Sequence, residues 1–380
     1  SMLYLTLTGR NDWASQLANS STPCFFYPSV GLSGVISEML TLPEFIDYMK
    51  VRGSFSSVGM PYPRNLTSPT YEYDEANQQW KPKTHYPIKD LKPERTNSWE
   101  LGLDMRLFKD FSLGFSWYLA NTFNQTFDPK VSVSSGYSKI YLQTGYVRNS
   151  GVELSLGYGH TWNNHLHWES NFTLSHNKNT IKDLVTSYIH PETGLPITQN
   201  RLDVGGLGKA RFILKKGGTL GDLYTQSDLK RDNSGMVEID PSGALTTEDN
   251  LPDIKLGSVF PKANLAWNNR FEWRGISLSA LFTARIGGIA YSATQAAMDQ
   301  YGVSERSAQA RDNGGVLLNG RTLVDAQTYY SLIGNSSGLP QYYTYSATNV
   351  RLQEASVGYT IPRKWLGGVC DINVSVVGRN

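Results

Sequence analysis

The chain has 380 residues, of which 39% are hydrophobic and 12% aromatic, and it is rich in Gly (35) and Tyr (22). Lys+Arg 35 and Asp+Glu 33 leave a formal net charge of +2, so no overall electrostatic attraction favours nucleic acid as a partner. No apolar run approaches the roughly 20 residues of a membrane helix, and the distant Cys24 and Cys370 predict no disulfide framework.

Apolar residues recur mainly at every second position, and this pattern predicts strands rather than helices. The connectors of the strongest hairpins have two or three residues, which are common lengths for hairpin loops. These lengths keep the apolar residues of both strands on one face, so each hairpin has an apolar and a polar side. In chain order, the predicted strands lie near 2–9, 28–38, 46–58, 99–107, 111–119, 152–162, 166–176, 265–273, 276–286, 344–361 and 369–380.

Short and long connections alternate between these strands. A sheet that runs up and down has this pattern when all turns at one end are short and all loops at the other end are long. Outer-membrane β-barrels are built in this way. The short connections are near 39–45, 108–110, 163–165, 274–275 and 362–368, and the long ones are near 10–27, 59–95, 123–144, 178–257 and 291–343.

A soluble two-sheet sandwich would also show alternation, because one face of each strand packs into a dry core. Strand length favours the membrane barrel, since the strongest strands exceed the usual 5 to 6 residues of globular proteins, whereas a membrane strand needs about 9 to 11. Trp162, Trp273 and Phe111 lie beside short turns, where an interfacial aromatic girdle is expected. The sandwich predicts instead that Trp99 and Trp117, with Trp168, are buried in a closed core.

Several sequence blocks, in chain order, resemble the barrel of SusC/RagA-type TonB-dependent transporters. LKPERTNSWELGLDMRLF (91–108) resembles the family's "LKPE-T-s-E-GlD" strand, and GYVRNSGVELSL (145–156) resembles its "IRNkGvElsL" strand. NVRLQEASVGYTIPRKW (349–365) is similar to its "vRLkeasLgYtlP" strand. Further similar blocks are LTLTGRNDWASQL (5–17), FYPSVGLSGVISEM (26–39), KVRGSFSSVG (50–59) and GSVFPKANLAWNNRFEWRGISLSALF (257–282).

This resemblance implies an all-β fold: an antiparallel up-and-down transmembrane β-barrel with long extracellular loops in the outer membrane of a Gram-negative cell. The family barrel has 22 strands, and residues 1–380 are expected to supply about eleven of them, its C-terminal half, without the plug domain or the last strand. Such a half-barrel should not be stable alone in lipid, because its two open edges would expose unpaired backbone.

The resemblance also implies partners and cargo. A SusD-like lipoprotein would cover the extracellular side, and TonB would act through a plug segment that this chain lacks. Oligosaccharides or oligopeptides would be taken up, and outer-membrane lipid would surround the barrel. The alternative from another class is a non-transporting surface β protein, such as an adhesin or binding module.

Aromatic residues in the long loops are the candidate substrate contacts. A Tyr ring offers a flat apolar face for a sugar and a hydroxyl for a peptide group. The alternative is that these rings pack the loops onto one another or onto a partner subunit. The predicted substrate-binding residues are Tyr71, Tyr73, Trp80, Tyr329, Tyr330, Tyr342, Tyr343 and Tyr345.

No catalytic, cofactor or metal site is predicted. His165, His167 and Glu169 share one strand face, but no further ligand spacing supports a metal, so they are expected to line the polar side near a short turn. GGLGKA (205–210) lacks the spacing of a phosphate loop, and DNSGMVEIDPSG (232–243) lacks the calcium-loop pattern and predicts ordered turns. Without a paired nucleophile and base, an enzyme is not expected.

Polar residues of the strands are predicted to face the lumen of the barrel. Their expected role is solvated lining and contact with a plug rather than choice of substrate. They are Glu100, Asp104, Arg106, Glu153, Glu169, Arg270 and Glu272.

Overall fold

An antiparallel sheet of eleven strands dominates the fold, and each strand pairs with the strands before and after it in the sequence. The computed structural model describes residues 2–17, 20–21, 23–60, 72–81, 85–86, 92–127, 139–140, 142–162, 165–189 and 196–380. The strands are β1 Leu3–Trp13, β2 Cys24–Val35, β3 Ile46–Met60, β4 Glu94–Leu107, β5 Phe111–Phe127, β6 Leu142–Thr161, β7 Leu166–Asp183, β8 Ala263–Trp273, β9 Ile276–Ile286, β10 Asn349–Ile361 and β11 Ile372–Arg379.

The register separates apolar from polar side chains across the sheet, because successive residues of a strand point to opposite faces. One row of directly paired residues is apolar on all of its strands: Leu3, Gly34, Val51, Leu103, Phe115, Leu154, Leu174, Leu265, Ala284 and Val350. An adjacent row on the other face is almost entirely polar: Tyr4, Ser33, Arg52, Gly102, Ser116, Glu153, Ser175, Asn264, Arg285 and Asn349. The predicted two-sided sheet is therefore confirmed.

The apolar face remains largely uncovered in the described structure. Trp99 is 53% exposed and Trp267 is 47% exposed, while Trp117 and Trp168 are partly exposed. A closed soluble core would have buried these rings, so their exposure favours a lipid-facing surface. No helix among the described residues has the length and apolar character to cross a membrane.

Aromatic rings form a continuous row on this face beside the short turns. Phe111 and Tyr158 have ring centroids 4.7 Å apart, and Tyr158 meets Trp168 edge to face at 5.1 Å. Trp168 stacks on Phe271 at 5.6 Å. The rings come from β5, β6, β7 and β8, and they lie where the aromatic girdle of a membrane barrel is expected.

Most predicted connections are present, with one difference at the start of the chain. β7 is followed by a long connection, 184–262, and β8 joins β9 through residues 274–275. The connection predicted as long near 10–27 is shorter, because β1 continues to Trp13 and β2 begins at Cys24. It is therefore no longer than residues 36–45 between β2 and β3, which include the short helix α1 (Ile36–Met39).

The described chain divides into two compact units. The sheet unit consists of Ser1–Asn200, Lys262–Ile286 and Thr348–Asn380, and the loop unit consists of Arg201–Pro261 and Gly287–Ala347. The sequence predicts one barrel domain over 1–380. Two of its long connections, however, contain a hydrophobic core of their own.

Strands and short helices build the loop unit. Its helices are α2 Ala293–Gln300, α3 Glu305–Asp312 and α4 Ala326–Gly334. Each begins after a side-chain N-cap, since Ser292, Ser304 and Asp325 accept a hydrogen bond from the backbone N–H three residues later. Its four-stranded sheet comprises Arg201–Leu207, Ala210–Lys215, Asp222–Thr225 and Ile254–Ser258.

Small strand pairs complete the described structure. In the loop unit they are Asp228–Leu229 with Thr247–Glu248, Ile289–Tyr291 with Thr344–Ser346, and Val316–Leu318 with Thr322–Val324. In the sheet unit they are Glu72–Asp74 with Gln79–Lys81, His85–Tyr86 with Lys139–Ile140, and Val185–Ile189 with Pro196–Gln199.

Candidate functional site

The polar face of the sheet forms a concave surface with a volume of about 650 Å³. Its lining includes Arg52, Asp104, Glu153, Arg285 and Arg351, which come from five different strands. Charges of both signs therefore face the same space. Such a surface binds water or polar protein groups rather than lipid, because unsolvated charges are costly.

Arg52 shows how this surface is ordered. Its Nη2 donates a hydrogen bond of 2.6 Å to Ser116 Oγ, two strands away, and lies 3.4 Å from Glu100 Oε1. The side chain crosses β4 at Gly102, where a Cβ would lie 2.2 Å from Arg52 Nε. A side chain at position 102 would therefore displace Arg52 from this path.

The residues predicted to line the lumen lie on this polar face. Glu169 and Arg270 are direct register partners of β7 and β8, and Arg270 donates to Glu272 of its own strand. Glu153 lies in the polar row, and Asp104 joins it in the lining of the concavity. The contact that these residues were predicted to make with a plug stays a prediction.

The histidines near the β6–β7 turn do not gather as metal ligands. Among the described residues, no group of three His, Cys, Asp or Glu side chains could hold a metal ion. His167 Nδ1 is hydrogen-bonded to Thr161 Oγ1 at 2.8 Å, and Glu169 Oε1 accepts from Asn171 Nδ2 at 2.8 Å. His165 lies in the turn itself with φ of 64°. These contacts account for the side chains as polar lining.

In the loop unit, two of the predicted substrate contacts are core residues. Tyr343 has 0% exposure and Tyr329 has 9%, and both pack with Ile333, Leu339 and Ala296. Burial raises the pKa of Tyr329 to about 12 and also raises the pKa of Tyr343. Neither ring has a free face for a ligand, so their predicted substrate contact is corrected to a packing role.

Tyr330 and Tyr342 pack against the same core and are partly buried. The Tyr342 hydroxyl donates to Asp228 Oδ1 at 3.3 Å, and Tyr330 meets Tyr329 edge to face at 5.2 Å. These contacts match the alternative weighed for the loop aromatics, in which the rings hold the loops together.

Three of the predicted contacts are accessible. Tyr345 is 42% exposed. Tyr73 and Trp80 form an exposed edge-to-face pair with ring centroids 5.1 Å apart, across a short hairpin of the sheet unit. Tyr71 lies outside the described residues. Substrate contact by Tyr73, Trp80 and Tyr345 stays a prediction.

A buried ion pair that the sequence analysis missed joins α2 to α3. Asp299 is fully buried and accepts hydrogen bonds from Arg306, Ser304 and Gln295. Burial alone would raise the pKa of Asp299, but these hydrogen bonds hold it below its usual range. The Arg306 guanidinium also lies over the Tyr343 ring, 4.9 Å from its centroid. The available signal in the sequence was Ser304, the N-cap of the helix that contains Arg306.

The segment 232–243 forms ordered turns, as predicted, and repeats one motif. Asp232 Oδ1 accepts from Ser234 N and Met236 N at 2.8 and 3.0 Å. Eight residues later, Asp240 accepts from the equivalent groups of Ser242 and Ala244. Hydrogen bonds from the Ser side chains lower the pKa of both aspartates.

The segment GGLGKA (205–210) carries one charged side chain, Lys209. Its ammonium group forms an ion pair with Asp249 at 2.9 Å, so the lysine charge is balanced within the protein.

Comparison with known proteins places this two-faced sheet in a family. The model of the family "TonB dependent receptor-like, beta-barrel" matches residues 2–365. The chain belongs to this family. TonB-dependent receptors of this kind are outer-membrane β-barrels, so the predicted fold class and location are confirmed. The family assignment also supports the prediction that the chain is not an enzyme.

Two curated TonB-dependent receptors of Formosa agariphila are similar to the chain. Receptor P3 is 22% identical over 100% of this chain and 39% of its own length. Receptor P39 is 24% identical over 65% of this chain and 22% of its own length. The chain therefore spans well under half of the length of these relatives.

Solved structures show the same TonB-dependent barrel fold. The structure of the RagAB peptide transporter matches all of this chain with a TM-score of 0.75 and 18% identity, over 42% of its own chain. The RagAB peptide importer in its "closed-closed" state matches with a TM-score of 0.73, also at 18% identity and over 42% of that chain. At this identity the likeness shows the fold alone.

Proposed function

We propose that the full-length protein imports an oligomeric nutrient across the outer membrane. The observation that carries this proposal is the pairing of an apolar row with a polar row across ten strands, in a chain of the TonB-dependent receptor family. A wall between lipid and a polar passage needs this arrangement, because lipid accepts only apolar side chains while solute and water need polar ones.

Oligosaccharides or oligopeptides are the proposed cargo. The similar RagAB structures are described as a peptide transporter and importer, which supports a substrate larger than a single ion or sugar. The exposed rings of Tyr73, Trp80 and Tyr345 offer flat apolar faces with hydroxyl or indole N–H groups, and these suit both sugar rings and peptide groups.

Two partners complete the proposed mechanism. A SusD-like lipoprotein would hold substrate against the extracellular loops, and TonB would supply energy by pulling on a plug segment. The polar concavity with Arg52, Asp104 and Glu153 would then contact the plug or the solvated passage. Selectivity would depend on the loop surfaces, since the concavity carries charges of both signs and no single dominant one.

Uptake by whole cells tests the proposal. Cells that express the full-length protein would receive labelled oligosaccharides or labelled oligopeptides, with and without TonB. The expected result is TonB-dependent uptake of labelled oligosaccharides or of labelled oligopeptides. The corresponding monosaccharides and amino acids should not be taken up in this way. Surface binding without uptake, by a protein that is folded in the outer membrane, would favour an adhesin instead.

A further inference from the structure

On the lipid side of the sheet, the residues change from apolar to polar near the ends of the strands that join the long connections. On β4 to β6, apolar Trp99, Leu119 and Val152 are followed by polar residues at the same face. The next row of direct register partners after Trp99 and Leu119 is Asn97, Asn121, Arg148 and Thr180. Arg95 lies two residues before Asn97 on β4, and Lys178 lies two residues before Thr180 on β7. Arg95, Arg148 and Lys178 therefore share this face.

Neutral groups hold the two arginines in place. Arg148 Nε donates to Asn121 Oδ1 at 2.8 Å and Arg148 Nη2 donates to the Tyr146 hydroxyl at 2.6 Å. The Tyr146 ring stacks on Phe123 at 4.7 Å. Arg95 Nε donates to Ser57 Oγ at 2.7 Å. Each guanidinium retains further N–H groups that these partners do not use.

The positive charge of this cluster is not compensated within the described chain. No described carboxylate forms an ion pair with Arg95, Arg148 or Lys178, whereas arginines elsewhere in the sheet do, such as Arg270 with Glu272 and Arg379 with Glu354. Arg95 and Lys178 are exposed, and Arg148 is half-buried. Cations next to an apolar belt are weakly screened, so an external anion is favoured there.

We propose that Arg95, Arg148 and Lys178 bind the phosphate groups of a phosphorylated lipid in the outer leaflet. The long connections of an outer-membrane barrel are extracellular, so the cluster lies at the level of the outer headgroups. Acyl chains would cover Trp99, Leu119 and Val152 below it. From β4 to β7 the cluster spans about 14 Å across the strands at the usual strand spacing. Lys178 lies in the register row of Trp99, so its four-residue offset from Arg95 adds about 13 Å along the strands.

Binding of defined lipids to the full-length protein in nanodiscs tests this site. The triple variant R95Q/R148Q/K178Q should bind phosphorylated lipid A roughly tenfold or more weakly than the parent protein. Dephosphorylated lipid A should bind the parent no better than it binds the variant. Inorganic phosphate alone should bind neither protein measurably, because without acyl chains it lacks the contribution of the apolar belt.

A matched control removes the same charge at the other end of the strands. Lys109, Arg274 and Lys364 are exposed cations beside short turns, and K109Q/R274Q/K364Q should bind phosphorylated lipid A as the parent does. The charge-preserving variant R95K/R148K/K178R should retain most of the binding if charge, and not a structural defect, decides it.

Equal binding of phosphorylated lipid A by the parent and R95Q/R148Q/K178Q, both folded, would overturn the proposal. An equal loss in the control triple variant would also overturn it, since the effect would then follow net charge alone. The readout contains no transport step, so it is independent of whether the protein imports oligomers.

Discussion

Arg52 reaches Ser116 across β4 because that strand has glycine at the crossing point. The contact joins three strands on the polar face and fixes a charge that would otherwise be free to move in the concavity. Polar rows of this kind depend on small residues beside long ones, as the inward faces of barrels do. A single methyl group is therefore expected to matter at position 102.

Gly102→Ala should lower the free energy of unfolding of the full-length protein by roughly 1–2 kcal/mol, because Arg52 must leave its hydrogen bond with Ser116. Gly114→Ala is the matched control on the same face, since the nearest atoms to its Cβ lie 3.6 and 3.8 Å away. Urea unfolding in lipid vesicles measures both variants. Equal stability of G102A and G114A would contradict this account of the crossing.

Protonation of Asp253 at low pH is expected to lower the stability of the loop unit. Hydrogen bonds from Arg201 and Lys215 lower its pKa from 3.8 to about 2. The folded pKa lies below the unfolded one, so the stabilisation is complete above about pH 4 and is lost as the pH falls from 3.8 towards 2. The protection factors of amide hydrogen exchange in Arg201–Leu207 and Ala210–Lys215, which correct each rate for the intrinsic effect of pH, should therefore fall over that range.

Asp253→Asn provides the comparison for this pH effect. The variant should show lower protection factors in the same strands at pH 6, and their fall between pH 4 and 2 should be much smaller than in the parent. A parent-like pH profile in the variant would assign the acid sensitivity to other carboxylates.

The hairpins of the sheet unit present one face to lipid and the other to the polar concavity, and adjacent residues of one strand must therefore tolerate different substitutions. Leu154 belongs to the apolar row, and Ser155 follows it on the polar face. Strand propensity differs little between the two positions. Their environments, rather than the strand itself, should decide the effect of a charge.

Leu154→Arg should destabilise the full-length protein by about 2–4 kcal/mol, the usual cost of an arginine on the lipid face near the bilayer midplane. Ser155→Arg, one residue later, should change stability by less than about 1 kcal/mol because water can solvate it on the polar face. Unfolding in lipid vesicles measures both. Equal losses would mean that both faces are buried in protein.

Tyr343 and Tyr345 are two tyrosines of the loop unit, of which the first is buried and the second is exposed. Tyr343→Ala removes a fully buried ring and should lower the stability of the loop unit by about 3–5 kcal/mol. Tyr345→Ala should leave hydrogen-exchange protection of α4 unchanged and weaken substrate binding instead. A loss of protection in Y345A as large as in Y343A would show that Tyr345 also belongs to the core.

The sheet was predictable from the sequence where the faces of its strands differ most. The hairpin of β4 and β5 followed from its parity, because the three-residue connector 108–110 puts Trp99 and Leu119 on one face. The ends of β1 and β2 were missed, since no apolar/polar alternation leads up to Trp13 or continues from Cys24, which is followed by three aromatic residues in a row. Boundaries of this kind depend on cross-strand pairing rather than on local residues.

The loop unit could not be derived from alternation. In α4, Ala326, Tyr329 and Ile333 are buried at helical spacing after the Asp325 cap, and this was the available signal. Tyr343, one of the tyrosines assigned to substrate, instead fills a core made by segments far apart in sequence. Burial of that kind is a tertiary property, so composition alone did not distinguish packing tyrosines from accessible ones.

At the scale of the whole molecule, the family assignment and the separation of the two faces support the same account of the chain as part of an outer-membrane barrel. The apolar row crosses ten strands without an ionisable residue, and the polar row beside it includes Arg52, Glu153 and Arg285. A structure with one lipid face and one polar face requires both rows to persist around the barrel. The exposure of the apolar row, and not of the polar row, to lipid is the central claim.

Site-directed spin labelling of the full-length protein in lipid vesicles tests this claim most directly. Single labels would replace Leu154, Leu174 and Leu265 in the apolar row, with labels at Ser155, Ser175 and Asn264 as polar-face partners. The account predicts that lipid-soluble oxygen relaxes the first three labels much more strongly than the second three. Equal oxygen access at the two sets, or access at neither set, would contradict a lipid-facing apolar row.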